Sequence, residues 1–212
     1  MKFESLLEKM KERPVFEAET LLSGSENPGA IRVQIARWAK AKKIIQLRRG
    51  VYLLTETYRK IPLFEPALAA LLQKPSYISL EKALEYHGLI PEAVPVFTSV
   101  TTKRPERLKT PAGVFDYRHI QPSLFWGYEA VTMNRQTAFV AGPEKAVLDF
   151  FYLKEKKMTL HSLEELRLQN LKKINLKKLT ESAERFDKKR MTNAAELLKQ
   201  YILKNVRRER PV

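Results

Sequence analysis

The sequence has no cysteine, which excludes disulfides, thiolate zinc sites and thiol nucleophiles. Its seven glycines form no GxGxxG or GKS/T pattern, so a glycine-rich phosphate loop is also excluded. No apolar run approaches the roughly 20 residues that a membrane-spanning helix needs. Glu4 and Glu8 interrupt any signal-peptide pattern at the N-terminus. We therefore expect a cytoplasmic protein with no membrane attachment and no cofactor.

Positive charge is the strongest compositional bias. The 212 residues include 39 Lys and Arg against 24 Asp and Glu, which gives a net charge of +15. Residues 1–75 carry +6 and residues 142–212 carry +8, whereas residues 76–141 carry only +1. Such a balance indicates a polyanionic partner, and nucleic acid is the default one. The chain is long enough for one large or two small cores, and we expect two.

Acidic residues are absent from residues 27–55, a stretch that holds seven Lys and Arg residues. At its start Asn27 is a good helix N-cap, and Pro28 suits the first helical position. The apolar residues that follow recur at helical spacing and predict a stripe that packs inward: Ile31, Ile35 and Trp38. The opposite face carries small residues and cations, a combination that fits a DNA major groove.

Two β-rich runs, residues 43–47 and 51–54, follow this helix and predict a hairpin. Gly50 supplies the positive φ of the short turn, which carries two arginines. The DNA-contacting residues predicted on the helix and hairpin are Arg32, Val33, Arg37, Lys40, Lys43, Arg48 and Arg49. A run of cations is also compatible with an ordinary solvated face, but the lack of acids throughout favours DNA binding.

Two shorter helices are predicted upstream. The first has the apolar spacing of Phe3, Leu6, Leu7 and Met10 and ends near Pro14, and the second covers residues 16–22 and is closed by Ser23-Gly24. The order of three helices and a hairpin is typical of a winged helix-turn-helix domain, which we assign to residues 1–60.

The rest of the chain predicts a second, α+β domain. Residues 61–75 contain a connector helix, Phe64 to Gln73, and Ser79 opens a helix over residues 80–87. Four short β-rich segments then predict a small antiparallel sheet within about residues 94–141: 94–102, 113–120, 128–133 and 137–141. Helices are expected over residues 142–205, and the domain is assigned to residues 76–212.

Five ordered segments resemble one known family: residues 47–52 (LRRGVY), 77–91 (YISLEKALEYHGLIP), 98–105 (TSVTTKRP), 117–120 (YRHI) and 143–146 (PEKA). Over about residues 1–153 the chain is similar to the AbiEi antitoxins of type IV toxin–antitoxin systems. The resemblance implies a winged-helix domain that binds double-stranded operator DNA and represses its own operon. It also implies a second domain needed to counteract an AbiEii-type nucleotidyltransferase toxin, without implying direct contact with that toxin.

Two other functions are considered beside this one. The first is a stand-alone winged-helix regulator whose C-terminal domain senses a ligand or partner. The second is a metal-dependent nuclease, whose candidate residues are Asp116, Glu144, Asp149 and Glu155, with Lys145 or Lys157 as the accompanying cation. Three of these carboxylates sit on or beside one helix rather than at converging strand ends, and the three histidines are scattered. We therefore expect no catalytic residue and no metal site.

Two clusters in the second domain admit two interpretations each. Residues 98–109 lead from Thr and Ser hydroxyls into four cations, which form either a phosphate- or partner-contacting loop or a polar turn: Lys103, Arg104, Arg107 and Lys109. The aromatic residues Tyr117, Phe125, Trp126 and Tyr128 either stack on bases or belong to the core, and the core interpretation is favoured.

Overall fold

The computed structural model describes residues 1–23, 25–154 and 158–208, with side chains up to residue 205. Its buried side chains form two clusters. We call residues 1–60 the head and residues 61–208 the body. Within the described ranges, no helix is both long and apolar enough to span a membrane.

The head combines three helices with a three-stranded antiparallel sheet of order β1-β3-β2. Its elements are α1 (Phe3–Lys9), β1 (Val15–Glu17), α2 (Ala18–Leu22), α3 (Pro28–Lys40), β2 (Ile44–Arg48) and β3 (Val51–Leu54). The predicted helices α1 and α3 and the hairpin are present. The helix predicted from residue 16 is wrong at its start, because Phe16 lies in β1 and pairs with Tyr52 of β3. Gly24, predicted to close that helix, lies outside the described residues.

The sheet of the head is apolar on both faces, since successive residues of a strand point to opposite sides. Leu54 of β3 packs into the core of the head, whereas Val51 and Leu53 belong to the core of the body. The remaining buried residues of the head core are Phe3, Leu6, Phe16, Leu21, Ile31, Ile35, Trp38 and Ile44. The two cores therefore meet at this sheet.

The body is built on a six-stranded sheet of order β6-β7-β5-β4-β9-β8. Its helices are α4 (Glu65–Leu72), α5 (Leu80–Tyr86), α6 (Pro143–Leu153), α7 (Leu160–Glu165), α8 (Leu176–Glu184) and α9 (Lys189–Arg208). Its strands are β4 (Ser76–Ile78), β5 (Val96–Thr101), β6 (Glu106–Thr110), β7 (Gly113–His119), β8 (Tyr128–Met133) and β9 (Gln136–Ala141). The connector, the helix after Ser79 and the C-terminal helices lie where the sequence predicts them.

The prediction of a small antiparallel sheet is wrong in two respects. The sheet is mixed, because β4 is parallel to β9 and β5 is parallel to β7. It also contains two strands that the sequence did not reveal. Strand β4 is only three residues long, and β6 alternates charged and half-buried residues at the edge of the sheet.

Head and body are joined by polar contacts as well as by the shared core. The Nζ of Lys74 lies 3.0 Å from a carboxylate oxygen of Glu17. At the tip of the β8–β9 hairpin, Arg135 forms an ion pair with Glu12. Within the body, the side chain of Gln136 donates to the carbonyl of Pro62 at 2.8 Å and accepts from the backbone N–H of Phe64 at 3.2 Å. The start of the connector is thus attached to the same β8–β9 hairpin that contacts the head.

Candidate nucleic-acid interface

Helix α3 begins as the sequence predicts. The side-chain oxygen of Asn27 accepts a hydrogen bond of 3.0 Å from the backbone N–H of Ala30, and Pro28 occupies the first turn. Ile31, Ile35 and Trp38 are buried. The cap and the buried stripe together fix which face of α3 points to solvent.

Replacing Asn27 with alanine is expected to destabilise the protein by about 1 kcal/mol, because α3 loses a capping hydrogen bond. The measurement is the free energy of unfolding from a urea titration. The control is Asn193→Ala, on the exposed surface inside α9, where no cap is lost. Equal stability of the two variants would mean that the cap of α3 contributes nothing.

The solvent face of α3 is cationic. Arg32, Arg37 and Lys40 are exposed, and Val33 on the same face is 50% exposed. Among the residues that the structure describes, no carboxylate lies within 4.0 Å of these three cations. Their charges are therefore available to a polyanion.

The turn between β2 and β3 adds a further exposed cation, Arg49. Gly50 follows it with a φ of +82°, the left-handed conformation that glycine adopts without a steric penalty. Sequence reasoning passed over Lys42, which is exposed just beyond α3 with a φ of +54°. Its membership of the acid-free stretch was the available signal.

Two of the predicted contact residues are instead held by the protein itself. The Nζ of Lys43 lies 4.5 Å from the centre of the Phe3 ring, a cation–π contact with α1. Arg48 donates to the backbone carbonyl of Leu72, and its Nη1 lies 3.7 Å from Glu106. Of the predicted contact residues, Arg32, Val33, Arg37, Lys40 and Arg49 are exposed, and Lys42 lies beside them.

A β-bulge explains the direction of Arg48. In the ladder between β2 and β3, Gln46 pairs with Tyr52, but Arg48 pairs with Val51, so one extra residue is inserted between them. Paired residues share a face of the sheet, and Val51 faces the body. The bulge thus turns Arg48 toward α4 and β6.

The four cations of the segment 98–109 are all exposed, but they do not form one loop. Lys103 and Arg104 lie in the turn between β5 and β6, and their carbonyls accept hydrogen bonds from His119 and Gln73. The other two, Arg107 and Lys109, alternate along β6. Because Arg48 reaches Glu106, this edge of the body begins beside the β2–β3 hairpin.

The aromatic cluster belongs to the core, as favoured from the sequence. Tyr117 is fully buried and donates to the carbonyl of Ala69 at 2.7 Å, and burial raises its pKa. Phe125, Trp126 and Tyr128 pack against the same cluster. These rings contribute to tertiary packing and do not form a surface on which bases could stack.

The candidate nuclease carboxylates are dispersed. Asp149 is completely buried, forms an ion pair with Lys145, and accepts hydrogen bonds from Tyr77 at 2.9 Å and Ser79 at 2.8 Å. Burial raises the pKa of Asp149 and lowers the pKa of Lys145, because each charged form loses its hydration. The hydroxyl of Ser79, predicted to cap α5, is bound to Asp149 instead.

The other candidate carboxylates also have protein partners. Glu144 is buried and accepts from the backbone N–H of Asn175 at 2.8 Å, while Asp116 pairs with Arg118 at 3.0 Å. Glu155 and Lys157 lie outside the described residues. Within the described part of the chain, no three His, Asp or Glu side chains are grouped as metal ligands would be.

No protein-family model matches the chain, and no curated protein matches it. The candidate interface is therefore argued from its own residues.

Proposed function

We propose that the protein is an antitoxin that binds operator DNA through its head, represses its own operon and counteracts a nucleotidyltransferase toxin. The observation that carries DNA binding is the exposed face of α3 together with Arg49. It presents cations that no described carboxylate neutralises, on a helix whose orientation is fixed by its cap and buried stripe.

The topology of the head supports a winged helix. Its elements follow the order α1-β1-α2-α3-β2-β3, and the three-stranded sheet is antiparallel. In a winged helix-turn-helix the recognition helix enters the major groove, and the hairpin lies beside it on the backbone. We assign recognition to α3 and backbone contact to the hairpin, with Arg49 rather than Arg48 as its phosphate ligand.

The antitoxin role rests on the resemblance of the five sequence segments to AbiEi proteins. Four of them, residues 77–91, 98–105, 117–120 and 143–146, lie in or beside the body sheet and its flanking helices. The experiment is coexpression with an AbiEii-type nucleotidyltransferase toxin that arrests growth when it is expressed alone. Growth should be restored by the full chain, and lack of rescue would contradict the antitoxin role while leaving DNA binding to be judged separately.

Replacing Arg37 with alanine is expected to weaken binding to the DNA upstream of the operon by about 1–3 kcal/mol, if its guanidinium reads a base edge. The loss should be much smaller on a random duplex. Fluorescence anisotropy with both duplexes at fixed salt measures the difference. Equal losses on the two duplexes would make Arg37 a phosphate contact only.

Replacing Arg49 with alanine is expected to weaken binding to all duplexes alike. The slope of log K against log salt should fall by about 0.9, the contribution of one neutralised phosphate. The control is Lys177→Ala, which removes one charge from a side chain that is 86% exposed on α8. The control should leave the slope unchanged, and an unchanged slope for Arg49→Ala would remove this residue from the interface.

A stand-alone regulator that senses a small molecule is the second candidate. It is favoured by a cavity of about 300 Å³ between head and body, whose lining includes Met10, Arg13, Leu68 and Arg135. A ligand there would contact both units at once. Two results together would favour this candidate over the antitoxin. Repression would change when a small molecule is added, and the chain would fail to restore growth in the presence of the toxin.

A further inference from the structure

The two edges of the body sheet differ in their protection against pairing with another strand. Edge strand β6 carries Glu106, Arg107 and Lys109 in five residues, and such charges discourage association. Edge strand β8 (YEAVTM) has six residues, no proline and a single charge, Glu129. In the part of the chain described, β8 pairs with β9 alone. An edge of this kind is a template for a further strand.

Apolar side chains are exposed along the same edge. Phe139 of β9 is 41% exposed and Met133 at the end of β8 is 52% exposed. Phe139 lies opposite Ala130, so its ring stands on the same face of the sheet as that small residue. A cavity lined by Phe125, Tyr128 and Phe139 continues this surface toward α4.

Charge restricts which partner this edge accepts. The chain carries +15, so two copies repel each other over most of their surface. Residues 128–141, which form the β8–β9 hairpin, contain one acid and one base, Glu129 and Arg135. The hairpin thus has no net charge, although the chain as a whole is strongly cationic. A second copy that approaches at this hairpin meets little electrostatic repulsion.

We propose that β8 pairs antiparallel with β8 of a second copy of this chain, giving a dimer with one continuous twelve-stranded sheet. This inference does not depend on the proposed function.

The register of the pairing follows from the β8–β9 turn. Asn134 and Arg135 have φ values of +50° and +59° and form a two-residue turn that closes on the pair Met133–Gln136. Backbone groups alternate between the two sides of a strand. Those of Met133, Val131 and Glu129 consequently face β9, and those of Tyr128, Ala130 and Thr132 face outward.

When a two-fold axis perpendicular to the sheet relates the two strands, paired residues lie on the same face. Placing this axis at Ala130, the middle of the three outward-facing residues, pairs it with the partner's Ala130. Tyr128 then pairs with the partner's Thr132, and all three outward residues exchange hydrogen bonds. Glu129 lies opposite the partner's Val131, which avoids a pair of like charges. The two central alanines leave room for the exposed Phe139 ring of each copy to lean over the junction.

The oligomeric state of the full chain tests the proposal by sedimentation equilibrium up to high micromolar concentration. The unsubstituted chain should approach twice the 24.7 kDa chain mass. Ala130→Pro removes an outward N–H without touching the ladder to β9 and should yield the single-chain mass. The matched control, Lys109→Pro on the opposite edge, should remain dimeric. A monomeric unsubstituted chain, or a dimer that survives Ala130→Pro, would overturn the proposal.

Charge exchange at residue 130 tests the register and does not require proline in a strand. Ala130→Lys and Ala130→Glu should each be monomeric, because two like charges meet across the axis. Mixing the two variants should restore the dimer, with one chain of each kind. Thr137→Lys, on the same face but one strand inward, should stay dimeric. Failure of the mixture to associate would overturn the register centred on Ala130.

Discussion

Replacing Asp149 with alanine should destabilise the fold by about 3–5 kcal/mol, the cost of leaving one partner of a buried ion pair without its counterion. Lys145 is 3% exposed, so its charge would be left with little hydration, and the hydroxyls of Tyr77 and Ser79 would lose their acceptor. Domains of this size are stable by about 5–15 kcal/mol in total. The loss should appear as a large fall in the urea midpoint.

The double variant Lys145→Met with Asp149→Asn distinguishes this explanation from a general intolerance of the site. It removes both charges and keeps an acceptor oxygen for the two hydroxyls. We expect it to recover most of the stability that Asp149→Ala loses. If the double variant is as unstable as the single one, packing around α6 rather than the unpaired charge is responsible.

Replacing Leu53 with alanine should destabilise the fold by about 2–5 kcal/mol, because truncating a buried leucine removes packed methyl groups and leaves a cavity. Leu53 is 3% exposed and belongs to the core of the body although it lies on a strand of the head. Because both units share this sheet, thermal unfolding followed by calorimetry should show one transition that shifts as a whole.

Val33→Ala is the matched control for Leu53→Ala. Val33 is also apolar and also in the head, but it is 50% exposed, so its truncation should change stability by no more than about 0.5 kcal/mol. Two separate transitions, of which Leu53→Ala moves only one, would show that head and body unfold independently.

Local patterns in the sequence were sufficient to predict the elements that carry the candidate interface. The N-cap Asn27, Pro28 and the stripe of buried apolar residues all indicate the same helix, α3. The β2–β3 hairpin has a glycine, Gly50, at the turn position with a positive φ. The strands β4 and β6 were missed for different reasons. Three residues are too few to show a period, and β6 has the polar composition of a loop because it lies at an edge.

Long-range order was not predictable in the same way. Strands β5 and β7 are parallel neighbours because the intervening strand β6 pairs with the other side of β7, and no local sequence pattern specifies this arrangement. The contacts of Arg48 are the clearest case at the candidate interface. Its neighbour Arg49 has the same chemistry, yet the bulge in β2 directs Arg48 to Leu72 and Glu106 and leaves Arg49 in solvent.

The sheet with two apolar faces limits how this protein can be recombined. In a chimera that takes residues 1–60 from another chain, the residues at positions 51 and 53 would pack against an α4 to which they are not matched. The contact between Arg48 and Glu106 would also be mismatched. Under the proposed function, DNA specificity would be changed through the exposed face of α3 alone, which leaves Val51 and Leu53 in place. The proposed recognition surface can in this way be altered while the scaffold beneath it stays fixed.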